Sequence, residues 1–358
     1  MFTQLEMQME MEKYRLPVHR DDQIGLALNE FDFPHSSLVL NELHNCLNDP
    51  SMISRYPSES LDALLKHEII HYFQGQITPS QILLVPGADA GIDLVAQTFI
   101  TPTSRVRIHV PTYSAYQRAT YMRGCVPEFL SESLFSSSTS TEIVDIEFIC
   151  NPNNPTGRQV SHQDMVPLFD RTKLLVVDEV YADFDHLSVE ETKSQGSMIS
   201  HNIKENLIVI RSFSKAFGLA GLRIGYVVSS VRNINLLNRL QNPKAVTTSA
   251  KIAATTVLRC IEYYRNCAQQ MYFNKLRIVD WLEKHHIVFK TGRAVTNFIM
   301  IQTRDGKQFL EQAAENHGLI FRDLQDRLPG ENWIRMTIGN SQHTTQCINC
   351  LESSSFLL

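Results

Sequence analysis

Two things are scarce in this chain of 358 residues: long apolar runs and surplus positive charge. No stretch is continuously apolar over the length a membrane helix needs, and residues 1–15 are acidic and Met-rich without a long apolar core. The expected location is therefore cytoplasmic, with no membrane partner. Lys and Arg total 33 against 38 Asp and Glu, a formal net charge of -5. Without a broad basic field, nucleic acid is not an expected partner. Seven cysteines, an odd number scattered along the chain, do not read as a disulfide framework. Cys347-Ile-Asn-Cys350 is the only CxxC, and it lacks the second pair of a zinc knuckle. No GxxxxGK[ST] loop is present, and Gly218, Gly221 and Gly225 have the wrong spacing for a dinucleotide loop.

What is there follows an α/β grammar. Short apolar runs at 82–85, 106–110, 143–149, 174–177 and 207–210 end in polar, Gly or Pro residues and lead into helix-like segments. Residues 131–141, rich in Ser and Thr, read as a surface loop. Beyond Asn233 the chain reads as helical for a long stretch, and 298–301 with 333–338 read as strands of a second unit. The expectation is a large domain, with a mostly parallel sheet sandwiched by helices, plus a smaller α/β domain. The boundaries are 1–48 for an N-terminal arm and part of the small domain, 49–240 for the large domain and 241–358 for the small C-terminal domain.

Ligands of open parallel sheets bind beyond the carboxyl ends of the strands, so the residues that close each run matter most. After Val85 comes Pro86-Gly-Ala-Asp-Ala-Gly91 and an amphipathic helix, where the amides of Gly87, Ala88 and Asp89 could face a phosphate. Val110 leads to Tyr113, whose ring could lie on a flat cofactor or simply pack in a turn. Ile149 leads into Cys150-Asn-Pro-Asn-Asn-Pro-Thr-Gly157, in which Asn154 is held before Pro155 with its amide available to donate. Leu174-Leu-Val-Val-Asp-Glu-Val-Tyr181 ends a buried strand with Asp178, Glu179 and Tyr181.

Arg211-Ser-Phe-Ser-Lys-Ala-Phe-Gly-Leu-Ala-Gly-Leu-Arg-Ile-Gly225 adds the most specific chemistry. One lysine stands between two serines and a glycine-rich run that ends in an arginine. A phosphorylated aldehyde needs an amine, hydroxyls, a cation and small residues where the backbone must approach. Lys215, Ser212, Ser214 and Arg223 supply them.

In their order, these motifs resemble the fold type I pyridoxal phosphate aminotransferases, and most of all the histidinol-phosphate aminotransferase group. The likeness runs from Asn29-Glu30 to Trp333-Ile-Arg-Met-Thr-Ile-Gly339. It implies an aspartate aminotransferase-like fold, pyridoxal 5'-phosphate as cofactor and no metal. It also implies that Lys215 forms the Schiff base and moves the proton at Cα. Asp178 would pair with the pyridine nitrogen, Asn154 and Tyr181 with the ring oxygen, and Tyr113 would stack on the ring. Ala88, Asp89, Ser212, Ser214 and Arg223 would hold the phosphate, and Tyr56 would reach the phosphate of a neighbouring subunit, which implies a homodimer with shared sites. Arg335 would grip the substrate α-carboxylate near Asn29. Arg322 is a candidate second anion site, or a surface ion pair with Asp323 or Asp326.

Three departures bear on the substrate. The first motif reads Asn29-Glu-Phe-Asp-Phe-Pro34 with extra aromatic bulk, Ala90 stands where a Glu is common, and Gln241-Asn-Pro-Lys-Ala-Val246 replaces a Pro-Tyr-Asn. Transamination of an amino acid or amino-phosphate is the expected reaction. Elimination, cyclisation, decarboxylation or oxidation on a specialised, basic amino acid is the alternative. His67-Glu-Ile-Ile-His71 is a literal HExxH, the zinc peptidase pattern. On a helical wheel, however, Leu61, Leu65, Ile69 and Tyr72 form the apolar arc and leave both histidines on the solvated flank.

Overall fold

The computed structural model describes residues 20–131, 142–188, 197–201, 203–292, 296–325, 327–328 and 330–357. The acidic segment 1–15 and nearly all of the Ser/Thr-rich loop at 131–141 lie outside the described residues. The strands are β1 (Ile24–Gly25), β2 (Ile82–Val85), β3 (Val106–Val110), β4 (Glu128–Ser131), β5 (Val144–Cys150), β6 (Thr172–Asp178), β7 (Leu207–Ser212) and β8 (Gly225–Ser229). They continue with β9 (Phe289–Lys290), β10 (Phe298–Gln302), β11 (Leu319–Ile320), β12 (Arg322–Asp323) and β13 (Trp333–Thr337). The longer helices used below are α1 (Ser37–Asn48), α2 (Glu59–Tyr72), α3 (Ala88–Phe99), α4 (Ala115–Tyr121) and α5 (Val231–Leu240). After them come α6 (Thr248–Arg259), α7 (Ile261–Lys284) and α8 (Ser341–Ser353).

Seven strands form the main sheet in the order β2-β8-β7-β6-β5-β3-β4. β8 runs antiparallel to both its neighbours, while the pairs from β7 to β4 are parallel. Continuous apolar strands such as β6 and β7 suit a sheet covered on both faces. Their side chains alternate: Leu174, Val176, Ile208 and Ile210 enter one core, while Leu175, Val177, Leu207 and Val209 enter the other. The five expected runs are all strands, with 143–149 found at 144–150 and 174–177 lengthened to 172–178. β4 and β8 carry no comparable sequence signal.

β12, β13, β10 and β9 make a second, antiparallel sheet. The N-terminal segment joins this part of the chain, since β1 pairs in parallel with β11 and the Thr337 amide donates to the Leu26 carbonyl at 2.9 Å. On α2, Leu65 and Ile69 are buried and His67 and His71 exposed. Glu68 takes an ion pair from Arg259 at 2.9 Å. Among the described residues, no helix is long and apolar enough to cross a membrane.

Candidate active site

The carboxyl ends of β2, β5, β6 and β7 and the start of β8 meet at one edge of the main sheet. Gly225 is paired with both Val85 and Ser212, which brings the Pro86–Gly91 turn against the serine-lysine loop. A Cβ on Gly225 would stand 2.6 Å from the Arg211 carbonyl oxygen and 3.4 Å from the Ala88 amide nitrogen. Only a glycine permits this approach. Gly87 has φ +85°, and a Cβ there would meet Arg223 Nη2 at 2.7 Å. The Arg223 guanidinium therefore lies beside the N-terminus of α3, so a cation and the helix amides and dipole face the same point, where an anion is favoured.

At this end the expectation needs one correction. The Gly87 amide is not available to a ligand, because it donates to the Val85 carbonyl at 2.8 Å in the tight turn that starts α3. Ala88 and Asp89 supply the first helical amides. The Asp89 carboxylate accepts from Arg223 at 3.4 Å and from the Tyr113 hydroxyl at 2.8 Å. Tyr113 thus lies beside the helix start with its ring facing Arg327, 5.7 Å from the guanidinium carbon. Ser212 and Ser214 are buried, and the Ser212 hydroxyl accepts the Ser214 amide at 3.1 Å.

Lys215 follows in a loop that folds back under the N-terminal segment. Its Nζ donates to the Leu28 carbonyl at 2.7 Å. Burial, then the nearby Arg335 charge, pull its pKa down to about 8, against the partial support of Glu30 and Asp89. A good fraction of such an amine is neutral near pH 7–8 and can act as a nucleophile, unlike an ordinary lysine.

Asp178 closes β6 at 3 % exposure. Burial lifts its pKa to about 6, opposed by two donors: the Tyr116 hydroxyl on Oδ2 at 2.6 Å and the Val180 amide on Oδ1 at 3.1 Å. The next residue, Glu179, faces the other way. Together with Asp183 it binds the buried Arg211 at 2.8 and 2.7 Å, so the ends of β6 and β7 are fastened behind the site. Such a network fixes geometry more than it adds stability.

On the other flank, Asn29 is buried with φ +54° and donates to the Tyr181 hydroxyl at 2.9 Å. Burial raises the Tyr181 pKa to about 12, so the phenol stays a protonated donor. Asn154 Nδ2 lies 3.4 Å from the same hydroxyl, and its Oδ1 accepts from Arg335 at 2.5 Å and from Arg327 at 3.1 Å. Arg322 stands opposite Arg335 in the β12–β13 ladder. Asp326, a candidate partner for it, lies outside the described residues.

Tyr56 is set apart from these groups. It is 74 % exposed, with the Lys244 ammonium 4.1 Å from its ring centroid. Two site residues carry no distinguishing local signal: Tyr116, the second residue of the short helix α4, and Arg327. Phe31, Phe33, His35 and Tyr264 form an aromatic patch, with Phe31 5.8 Å from Tyr264. The patch sits directly on the lysine loop, since a Cβ on Gly218 would come within 2.7 Å of Phe31 and His35.

An anion cradle at a helix start, a partly neutral buried lysine, a buried acid with two donors and a phenol–amide pair fit a flat, phosphorylated aldehyde with a basic ring nitrogen. The comparisons point to the same cofactor. The family model "Aminotransferase class I and II" matches residues 21–351. The histidinol-phosphate aminotransferase of Limosilactobacillus fermentum is 27 % identical over 334 residues, 89 % of this chain and 88 % of the relative. The structure of a putative histidinol-phosphate aminotransferase from Erwinia carotovora atroseptica superposes with TM-score 0.81 at 20 % identity, covering 93 % of this chain and 96 % of that one. That of the Sinorhizobium meliloti histidinol-phosphate aminotransferase in complex with pyridoxal-5'-phosphate gives TM-score 0.78 at 19 % identity, covering 92 % and 89 %. The chain belongs to the aminotransferase class I and II family and is a pyridoxal phosphate-dependent transferase.

Proposed function

We propose that the protein is a histidinol-phosphate aminotransferase-like enzyme that works through Lys215 on an amino donor carrying a distal anionic group. When bound, pyridoxal phosphate supplies an aldehyde that condenses with amines and a ring that takes up electrons from the substrate Cα. Lys215 would hold the cofactor through its amine and, once free, would carry the proton at the substrate Cα. Asp178 keeps the ring nitrogen protonated. Asn154 and Tyr181 would serve the ring oxygen, and Tyr113 would pack against the ring. The amides of Ala88 and Asp89, the hydroxyls of Ser212 and Ser214, and Arg223 hold the phosphate. Arg335, near Asn29, orients the α-carboxylate so that the Cα–H bond stands across the ring plane.

The observation that carries this reading is the meeting of Lys215, beneath Leu28, with Arg335 on Asn154. It sets a nucleophile beside a carboxylate-binding cation. The names of the relatives favour transamination over elimination, cyclisation, decarboxylation or oxidation. A basic donor is disfavoured by Arg327 and Arg335 converging on the Asn154 oxygen, with Arg322 opposite Arg335 in the ladder. Like charges would repel a cationic side chain. The proposal extends to a cytoplasmic homodimer in which Tyr56 serves the neighbour's site, and to the division 1–48, 49–240 and 241–358.

The test is a panel of amino acids and amino-phosphates, with and without 2-oxoglutarate, followed by mass spectrometry. Amino transfer that needs the acceptor is expected, as is a yellow protein whose visible absorbance and turnover vanish in Lys215→Ala. Sustained turnover without acceptor, or an unchanged spectrum in Lys215→Ala, would overturn the assignment.

A further inference from the structure

The Tyr116 hydroxyl lies 2.6 Å from Asp178 Oδ2, a contact between the helix after β3 and the end of β6, 62 residues apart in sequence. Its ring is 1 % exposed and stacks on Phe148, with centroids 5.3 Å apart and planes 14° from parallel. Phe148 belongs to β5, between β3 and β6 in the sheet. The phenol is thereby held at a fixed height over the sheet edge, with its O–H directed at one carboxylate oxygen. Asp178 Oδ1 is held separately by the Val180 amide at 3.1 Å.

We propose that Tyr116 is a positioning residue. Its hydroxyl fixes the Asp178 carboxylate in the ionised form and in one rotamer, so that this acid can hold a protonated ring nitrogen. The proposal rests on the reading of Asp178 as the partner of that nitrogen. Tyr116 touches neither cofactor nor substrate in this account and acts only through Asp178.

The surroundings of Asp178 show why such a donor matters. Cys150, closing β5, and the neighbouring acids Asp89 and Glu179 contribute negative charge or no compensation, and burial disfavours the ionised form. The hydrogen bonds from two neutral donors, Tyr116 and Val180, oppose the effect of burial. A phenol in an apolar stack suits this task. Burial and the adjacent carboxylate keep its own proton in place far above neutral pH, so it donates throughout the working range.

The decisive variant is Tyr116→Phe, which removes one oxygen and keeps the ring. The full-length protein is prepared with carbonyl-labelled aspartate and freed of cofactor, and the Asp178 titration is followed by NMR, assigned by its absence in Asp178→Asn. Loss of a hydrogen bond to a charged group is expected to raise the midpoint by about one to two pH units. In the cofactor-loaded enzyme, the acid limb of the kcat profile should move up with it while KM stays near its original value. Phe148→Leu is the second variant. It loosens the stack without removing a polar group and should raise the midpoint by less. An unmoved midpoint in whichever variant folds, with only a lowered melting temperature, would make Tyr116 a packing residue and overturn the proposal. Failure of the Asp178 reading itself would show separately, as undiminished cofactor retention in Asp178→Asn.

Discussion

Arg335 donates through Nη1 to the Asn154 side-chain oxygen at 2.5 Å and through Nη2 to the Ala27 carbonyl at 2.6 Å. One guanidinium thus ties the second sheet to the NPNNPTG turn and to the N-terminal segment that covers Lys215. A planar fork with two fixed contacts has a defined orientation, which a carboxylate clamp requires. Replacing Arg335 with Leu removes a charge-assisted contact, for which a loss of roughly 1.5–3 kcal/mol is typical. The expected result is a fall in kcat/KM of about ten- to hundredfold, similar for every α-amino acid donor. Steady-state kinetics on a donor panel checks it. A loss confined to one donor would place Arg335 at the side chain instead.

The same arginine adds to the effect of burial on the pH response of Lys215. The lysine pKa of about 8 lies below the ordinary 10.5, with burial the larger cause and Arg335 the next. Below the folded value the amine is protonated and cannot attack; above it the amine is neutral. Capture of added pyridoxal phosphate by cofactor-free protein should therefore rise with pH and level off above about 8, falling about tenfold per unit on the acid side. Stopped-flow absorbance reads the curve. In Arg335→Leu the midpoint should move upward, because a repelling charge is gone. A rate that keeps rising to pH 10 in the unaltered protein would contradict the shift.

Gly87 offers a test of the phosphate cradle that removes none of its polar groups. Its φ of +85° and ψ of 166° fall in a region used almost only by glycine. The added methyl of Gly87→Ala would also push on Arg223 Nη2. Strain of about 1–3 kcal/mol is expected, seen as a melting temperature lower by a few degrees. Cofactor retention on dialysis should also weaken. Arg223→Gln separates the two effects: it should lower retention with little change in melting.

The strand ends were legible because each carries its chemistry in a contiguous motif: Asp178 and Tyr181 in one, Asn154 in another, Lys215 with its serines in a third. The continuous apolar runs of β6 and β7 are likewise the pattern of a doubly covered sheet. Contacts made across long separations were not legible. Nothing local distinguishes Tyr116 from any tyrosine of an amphipathic helix, and its partner lies two strands away. Arg327 reaches Asn154 from a loop whose composition reads simply as polar. The Gly87 amide differs from the sequence expectation because a turn-closing bond to Val85 competes with a ligand for the same proton, and only the backbone path decides between them.

Tyr56 presents an exposed ring, with the Lys244 ammonium over it, on a part of the chain remote in sequence from the lysine loop. If it completes the neighbour's phosphate site, its loss must act in the opposite subunit from its own. A hybrid of one Lys215→Ala subunit with one Tyr56→Ala subunit decides this. In a shared-site dimer both defects fall in one site, and the other combines an intact Lys215 with an intact Tyr56. Each hybrid should then recover about half the activity of the unaltered dimer, although both parent dimers are impaired. Were Tyr56 to act within its own subunit, each site would carry one defect and the hybrid would do no better than the average of its parents. Purifying the hybrid with two affinity tags and comparing turnover per dimer separates the two outcomes.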